Sequence, residues 1–179
     1  MCRYFLIFLV SSLCFSQSSF EKAEDFLVKK NYSKLEQEML RYLEDDPENY
    51  KAIELLGDAY GYQKKWDKAI EQYELLTTKK PNSANIHYKY GGALGMKALS
   101  VSKIGALGII GDVKSAFLKA AELDTKHINT RWALVELYVS LPGIVGGSFS
   151  KALDYANELQ NLSKVDGYLA KGYVYEYDN

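Results

Sequence analysis

Cysteine is almost absent from this chain: Cys2 and Cys14 are the only two in 179 residues, and both lie in its first segment. That placement excludes a disulfide framework or a cysteine metal site in the body of the protein. Histidine is limited to His87 and His127, whose spacing does not make a metal pair. Proline occurs three times, and runs of alternating Val, Ile and Thr are lacking, which excludes a sheet protein and leaves an all-α one. No charge of one sign dominates; the net charge of −1 and pI near 6.2 give no electrostatic footprint for nucleic acid. Also missing are a His-Glu-x-x-His helix, a serine nucleophile elbow and a glycine loop ending in Lys-Ser or Lys-Thr. Neither catalysis, nor a metal, nor a cofactor is expected from these residues. What is present is a 47% hydrophobic content, enough for one sizeable core.

That content is ordered by a repeat. From Tyr50 to Ser83, the residues Leu56-Gly57, Tyr60, Ala69, Tyr73 and Pro81 fall at fixed offsets of a unit of about 34 residues. Leu56 and Tyr60 share one helical face, Gly57 clears the way for a second helix, and Ala69 and Tyr73 form its answering face. Gln63-Lys64-Lys65 makes the turn, and Asp67 stands in the first turn of the return helix, where the dipole favours an acid. The segment resembles a tetratricopeptide repeat (TPR). The resemblance implies a right-handed solenoid of helical hairpins, about four pairs plus a C-terminal capping helix.

The remaining units are laid out from this one: about 17–49, 50–83, 84–127 and 128–164, with a capping helix over 165–179. In the first, Ala23, Phe26, Leu35 and Met39 take the consensus slots. The third carries His87, Tyr90-Gly91 and Leu94, then about ten extra residues before Phe117 and Ala120. These read as a longer first helix and an apolar loop, Ile104 to Gly111, with Asp112 as N-cap of the helix that follows. The fourth carries Leu134, Tyr138, Ala152 and Ala156 around a second inserted loop, Leu141 to Ser148, with Pro142 ending one helix and Ser148 capping the next. This Pro-Gly-Ile-Val-Gly-Gly loop resembles one found in a subset of exported bacterial TPR proteins. The two insertions are expected to adjoin and to bury Ile104, Leu107, Ile109, Ile110, Ile144 and Val145 against each other. Residues expected in the core are Leu56, Tyr60, Ala69, Tyr73, Tyr90, Phe117, Leu134 and Tyr138.

Ahead of the repeats, Arg3 and the apolar run Tyr4 to Val10 with Leu13 have the layout of a secretory signal over residues 1–16, cleaved before Gln17. The run is short for a membrane span, so no stable span is expected after cleavage; the alternative is retention as an anchor. Leu13 before Cys14 does not fit a lipidation site. A periplasmic or cell-envelope location follows.

A TPR array implies a non-enzymatic scaffold that binds a protein or peptide partner in the groove lined by the first helix of each unit. Carried over residue by residue, that groove comprises Lys51, Glu54, Asp58 and Tyr62 from the second unit, Asn85, Tyr88 and Met96 from the third, and Asn129, Trp132 and Glu136 from the fourth. Glu54 and Asp58 stand where the clamp for C-terminal carboxylates has Lys and Asn, so chaperone-tail recognition does not fit. The aromatics and acids suit a segment with Arg or Lys beside an apolar side chain. The alternative is a solute-binding protein or enzyme with a pocket under loops 104–111 and 141–148. Those loops lack the convergent polar groups that a pocket requires.

Overall fold

The computed structural model describes residues 19–177, so the signal segment read at 1–16 lies outside the described residues. Among the described residues there is helix and no strand. Helix α1 occupies residues 19–28, followed by α2 (Tyr32–Asp45), α3 (Tyr50–Tyr62), α4 (Trp66–Lys79), α5 (Ala84–Ser100), α6 (Lys103–Leu123), α7 (Ile128–Ser140), α8 (Phe149–Leu162) and α9 (Lys164–Tyr177). They form four antiparallel pairs and a terminal helix. The chain divides into two compact units, the first ending at Leu76 and the second beginning at Thr77.

Side-chain caps set where helices begin. Asn31, Asn49, Ser83, Ser102, His127 and Ser148 each accept a hydrogen bond from the backbone amide three residues on, satisfying a donor that the first turn leaves without a partner. Ser148 therefore caps α8 as its sequence position suggests.

In the first unit, one turn is used twice. Lys30 and Lys64 both adopt left-handed backbone, with φ of 53° and 59°. After each, an amide reaches back to the carbonyl five residues earlier, Asn31 to Phe26 at 2.8 Å and Lys65 to Tyr60 at 2.9 Å. This is the Schellman closure of a helix C-terminus, repeated at the spacing of the unit. The turns fold α2 back on α1 and α4 back on α3. Leu35, Met39, Ile53, Leu56, Tyr60, Ala69, Tyr73 and Leu76 fill the interior.

In the second unit, Val113, Phe117 and Ala120 of α6 are buried with Ile86 and Leu94 of α5, while Leu134, Val135, Tyr138, Ala156 and Leu159 form the interior of α7 and α8. Gly57 in the first unit and Gly91 in the second do the same work. A β-carbon on Gly57 would stand 2.8 Å from the ring of Tyr73, and one on Gly91 would stand 2.8 Å from the ring of Phe117. Each glycine lets an aromatic of the return helix lie directly on the backbone.

Three expectations are corrected here. Residues 104–111 are not a loop; they are the first two turns of α6, which Ser102 caps, and Asp112 lies inside that helix. The glycines there keep helical backbone because α5 extends alongside, a 17-residue helix against a 21-residue one. The two insertions do not bury Ile104, Leu107 and Ile144 against each other, while Ile109, Ile110 and Val145 are half-buried. Ile104 is 83% exposed and Ile144 is 96% exposed. The loop after α7, a single 3-10 turn over Gly143–Val145, lies instead against the middle of α6, where the Lys114 ammonium would stand 3.4 Å from a β-carbon on Gly146. Tyr90, finally, is half-buried: its neighbour Gly91 takes the position facing Phe117, and a residue one step around the helix turns to the flank.

Candidate functional site

The first helices of the hairpins carry every residue of the expected groove. In the first unit these are Lys51, Glu54, Asp58 and Tyr62 on α3, and all four interact within the unit, Glu54 through its charge on Tyr73. The Asp58 carboxylate accepts a 2.6 Å hydrogen bond from the Tyr73 hydroxyl. Burial first, and then the Asp58 charge, push that phenol well above its ordinary value, so it remains a donor. The Tyr62 ring stacks on Tyr32 with centroids 4.4 Å apart. Lys51 holds its ammonium 4.5 Å over the Phe20 ring. Glu54 is half-buried. A separate polar cluster joins α2 to the turn before α4, where Glu36 accepts from Gln63 at 2.7 Å and from Lys65 at 2.6 Å.

In the second unit, the faces of α5, α7 and α9 bear the richer arrangement. Tyr88 of α5 lies 6.1 Å from Phe117 and 5.3 Å from His127, ring to ring. Its phenol is raised by burial and then by the Glu136 carboxylate of α7. Trp132 of α7 donates its indole N–H to Asp166 of α9 at 2.9 Å. Asp166 is held below the usual carboxylate range by Ser163 and Trp132. Tyr173 of α9 is pushed up to about 12, by burial first, then by its hydrogen bond with Tyr177, with Glu136 adding to the rise and Ser140 opposing it. Glu136 thus acts on a tyrosine from each neighbouring helix and is itself exposed. Asn85, Asn129 and Met96 are exposed, Met96 at 44%.

Sequence reading missed Asp166 and Tyr173 by treating α9 only as a cap. A signal was there: Asp166 follows Trp132 by 34 residues, the repeat length, so α9 occupies the place of a fifth first helix. It also missed Arg131, which is 3% exposed. Arg131 donates to the carbonyls of Asp124 at 2.6 Å and Ala121 at 3.2 Å and to Glu158 at 3.2 Å, closing the C-terminus of α6 against α8. The histidines serve structure. His127 caps α7, its Nδ1 meeting the Thr130 hydroxyl at 2.7 Å, and His87 places Nε2 2.9 Å from the Pro81 carbonyl. Among the described residues, no three His, Cys, Asp or Glu side chains are grouped to hold a metal, and no helix is long and apolar enough to cross a membrane.

Solved structures share this architecture. A thermophilic TPR protein of Thermus thermophilus superposes with a TM-score of 0.72 at 14% identity, over 89% of this chain and 80% of that one. The fold is the TPR fold. MamA superposes at 0.70 with 20% identity, over 90% of this chain and 81% of its own, and a TPR protein from Parabacteroides merdae at 0.70 with 15% identity, over 90% and 59%. At such identities the likeness is one of fold. No protein-family model matches the sequence, and no curated protein matches it.

Proposed function

We propose that this chain is a non-enzymatic scaffold of the bacterial cell envelope whose first-helix faces bind a protein or peptide partner. The observation that carries the reading is the face of the second unit, where the exposed carboxylate of Glu136 acts on Tyr88 of α5 and Tyr173 of α9, and Trp132 stands one helical turn before it on α7, bonded to Asp166. Aromatic rings set about one acid, with Asp166 close by, favour a cation whose stem is apolar. The partner is therefore a segment presenting Arg or Lys beside an apolar side chain. Lys51, Glu54, Asp58 and Tyr62 of the first unit, and Asn85, Met96 and Asn129 of the second, are the further contacts of this reading. Export rests on Arg3 and the apolar run after it.

Selection from a random peptide library tests the binding. Enrichment of Arg or Lys next to an apolar residue is expected, with affinity lost in Glu136→Gln and Trp132→Ala. Enrichment of acidic peptides, or binding indifferent to both substitutions, overturns the reading. For export, N-terminal sequencing of protein from the native cell should begin at Gln17; a chain that starts at Met1 and fractionates with the cytoplasm contradicts it.

A further inference from the structure

Helix α9 stands in the place of a fifth first helix, and among the described residues no return helix covers it. Its inner face is complete, with Gly167, Ala170 and Val174 buried. A terminal helix of a solenoid ordinarily turns a polar face outward. This one does not. Val165 is 69% exposed, Tyr168 65%, Leu169 61% and Tyr175 55%. With Gly172 they recur at spacings of three and four, so an apolar stripe about 15 Å long runs along the outside of the helix.

Gly172 repeats a feature of the interior. Gly57 and Gly91 are each filled by a ring, Tyr73 or Phe117, from the antiparallel helix alongside. A β-carbon on Gly172 would meet nothing within 4 Å, so the backbone there is bare. The exposed ring of Tyr168 lies one turn earlier on the same stripe.

The charges at the two ends of α9 are the reverse of what its own dipole favours. Lys164 opens the helix at the positive end, and Glu176 stands in the last turn at the negative end. Both are exposed, and neither side chain has a hydrogen bond or ion pair among the described residues. The other two charges of the helix are engaged, Asp166 with Trp132 and Lys171 with Gln160. On α8, Glu158 pairs with Arg131, and the sequence has no further charge before Lys164. Contact of Phe149 with Tyr175 puts the start of α8 beside the end of α9. There Lys151 and the exposed Asp154 offset each other, and the net charge of that end follows Glu176.

We infer that α9 is the interface of a two-fold dimer, packing antiparallel against α9 of a second copy of the chain. One register answers every feature at once. With Gly172 opposite the partner's Tyr168, positions equally far from residue 170 face each other, so Lys164 lies opposite the partner's Glu176 and Val165 opposite the partner's Tyr175. Each bare glycine receives a ring, as Gly57 and Gly91 do. Each terminal charge meets its opposite, together with the end of the other helix whose dipole suits it. The stripe is its own complement when reversed, which is the requirement of an isologous contact.

Sedimentation of the full chain over a range of concentrations should show a monomer–dimer equilibrium. Lys164→Glu and Glu176→Lys, each alone, should weaken the dimer about tenfold, since symmetry places every pair twice. Mixed together, the two single variants should form a heterodimer as strong as the unsubstituted dimer. Folding is not at risk, because each substitution brings the charge that the helix end favours; an unchanged helical circular dichroism checks this. Gly172→Leu should stabilise the helix of the monomer yet weaken the dimer tenfold or more, by filling the place of the ring. A monomer at every concentration overturns the inference. So does a dimer indifferent to Gly172→Leu, or a mixture of the charge variants that associates no better than either alone. So does a chain that stays monomeric while Leu169→Asp releases a different protein from it. None of these substitutions alters Tyr88, Trp132 or Glu136, so peptide selection tests the binding face separately.

Discussion

The Tyr73 hydroxyl is anchored on Asp58 at 2.6 Å while its ring edge lies 2.8 Å from the place of a Gly57 side chain, so the ring cannot swing away to admit one. Gly57→Leu should therefore cost about 1 to 3 kcal/mol, read as a lowered denaturant midpoint. In a Tyr73→Leu background the same substitution should cost less, since the anchored ring is gone. Purely additive losses in the double variant would show that the glycine serves something other than this contact.

Lys30 and Lys64 hold left-handed backbone that a β-carbon disfavours. Lys64→Gly and Lys30→Gly should each raise stability by about 0.5 to 1 kcal/mol, the relief of the steric cost exceeding the added freedom of the unfolded chain. Thermal melting of either variant checks this, and a lower midpoint would mean that the lysine side chain contributes more than its backbone costs.

These turns also show what was legible in the sequence. The 34-residue spacing located Gly57, Tyr73 and Gly91, and Phe117 once about ten inserted residues were allowed, because each position has one steric task, which any register of the repeat must satisfy. Spacing did not reveal the state of 104–111. Gly105, Gly108 and Gly111 read as loop from composition, but helix continues when a cap starts it and a neighbouring helix runs beside it, and Ser102 and α5 supply both. Apolar character at Ile104 and Ile144 was read as burial, although nothing in the sequence said what would cover them. Tyr88 and Trp132 were placed on the correct helices, yet their partners His127, Glu136 and Asp166 depend on how α5, α7 and α9 stand side by side.

Arg131 satisfies the last carbonyls of α6 from within the interior of the second unit. Arg131→Met preserves the apolar stem but removes the donor that Arg131 gives the Ala121 carbonyl and leaves the Asp124 carbonyl with the His127 amide alone, and should cost about 1 to 3 kcal/mol. Arg131→Lys should recover only part of that, because one ammonium cannot reproduce a planar fork that reaches two carbonyls and Glu158 together. Urea denaturation of both variants decides it; a loss under about 0.5 kcal/mol in Arg131→Met would place those carbonyls in contact with solvent.

Glu36 gives the first unit a defined response to acid. Burial alone would raise its carboxyl, but the Lys65 ammonium and the Gln63 amide, supported by the charge of Lys68, outweigh burial and hold it below its ordinary 4.5. A carboxyl lowered by folding binds its proton more readily in the unfolded chain, so stability rises with pH across this window. The contribution is complete above about 4.5 and is lost as the pH falls through the lower value of the folded state. Glu36→Gln keeps the shape and removes the charge. It should lower the denaturant midpoint at neutral pH, and the gap from the unsubstituted protein should close on acidification below 4.5. Salt should narrow the neutral gap as well, since Lys65 is 40% exposed and its pairing is open to screening. A gap that stays constant from neutral to acid pH would mean that the Gln63 and Lys65 contacts serve as packing, with no part for the carboxylate charge.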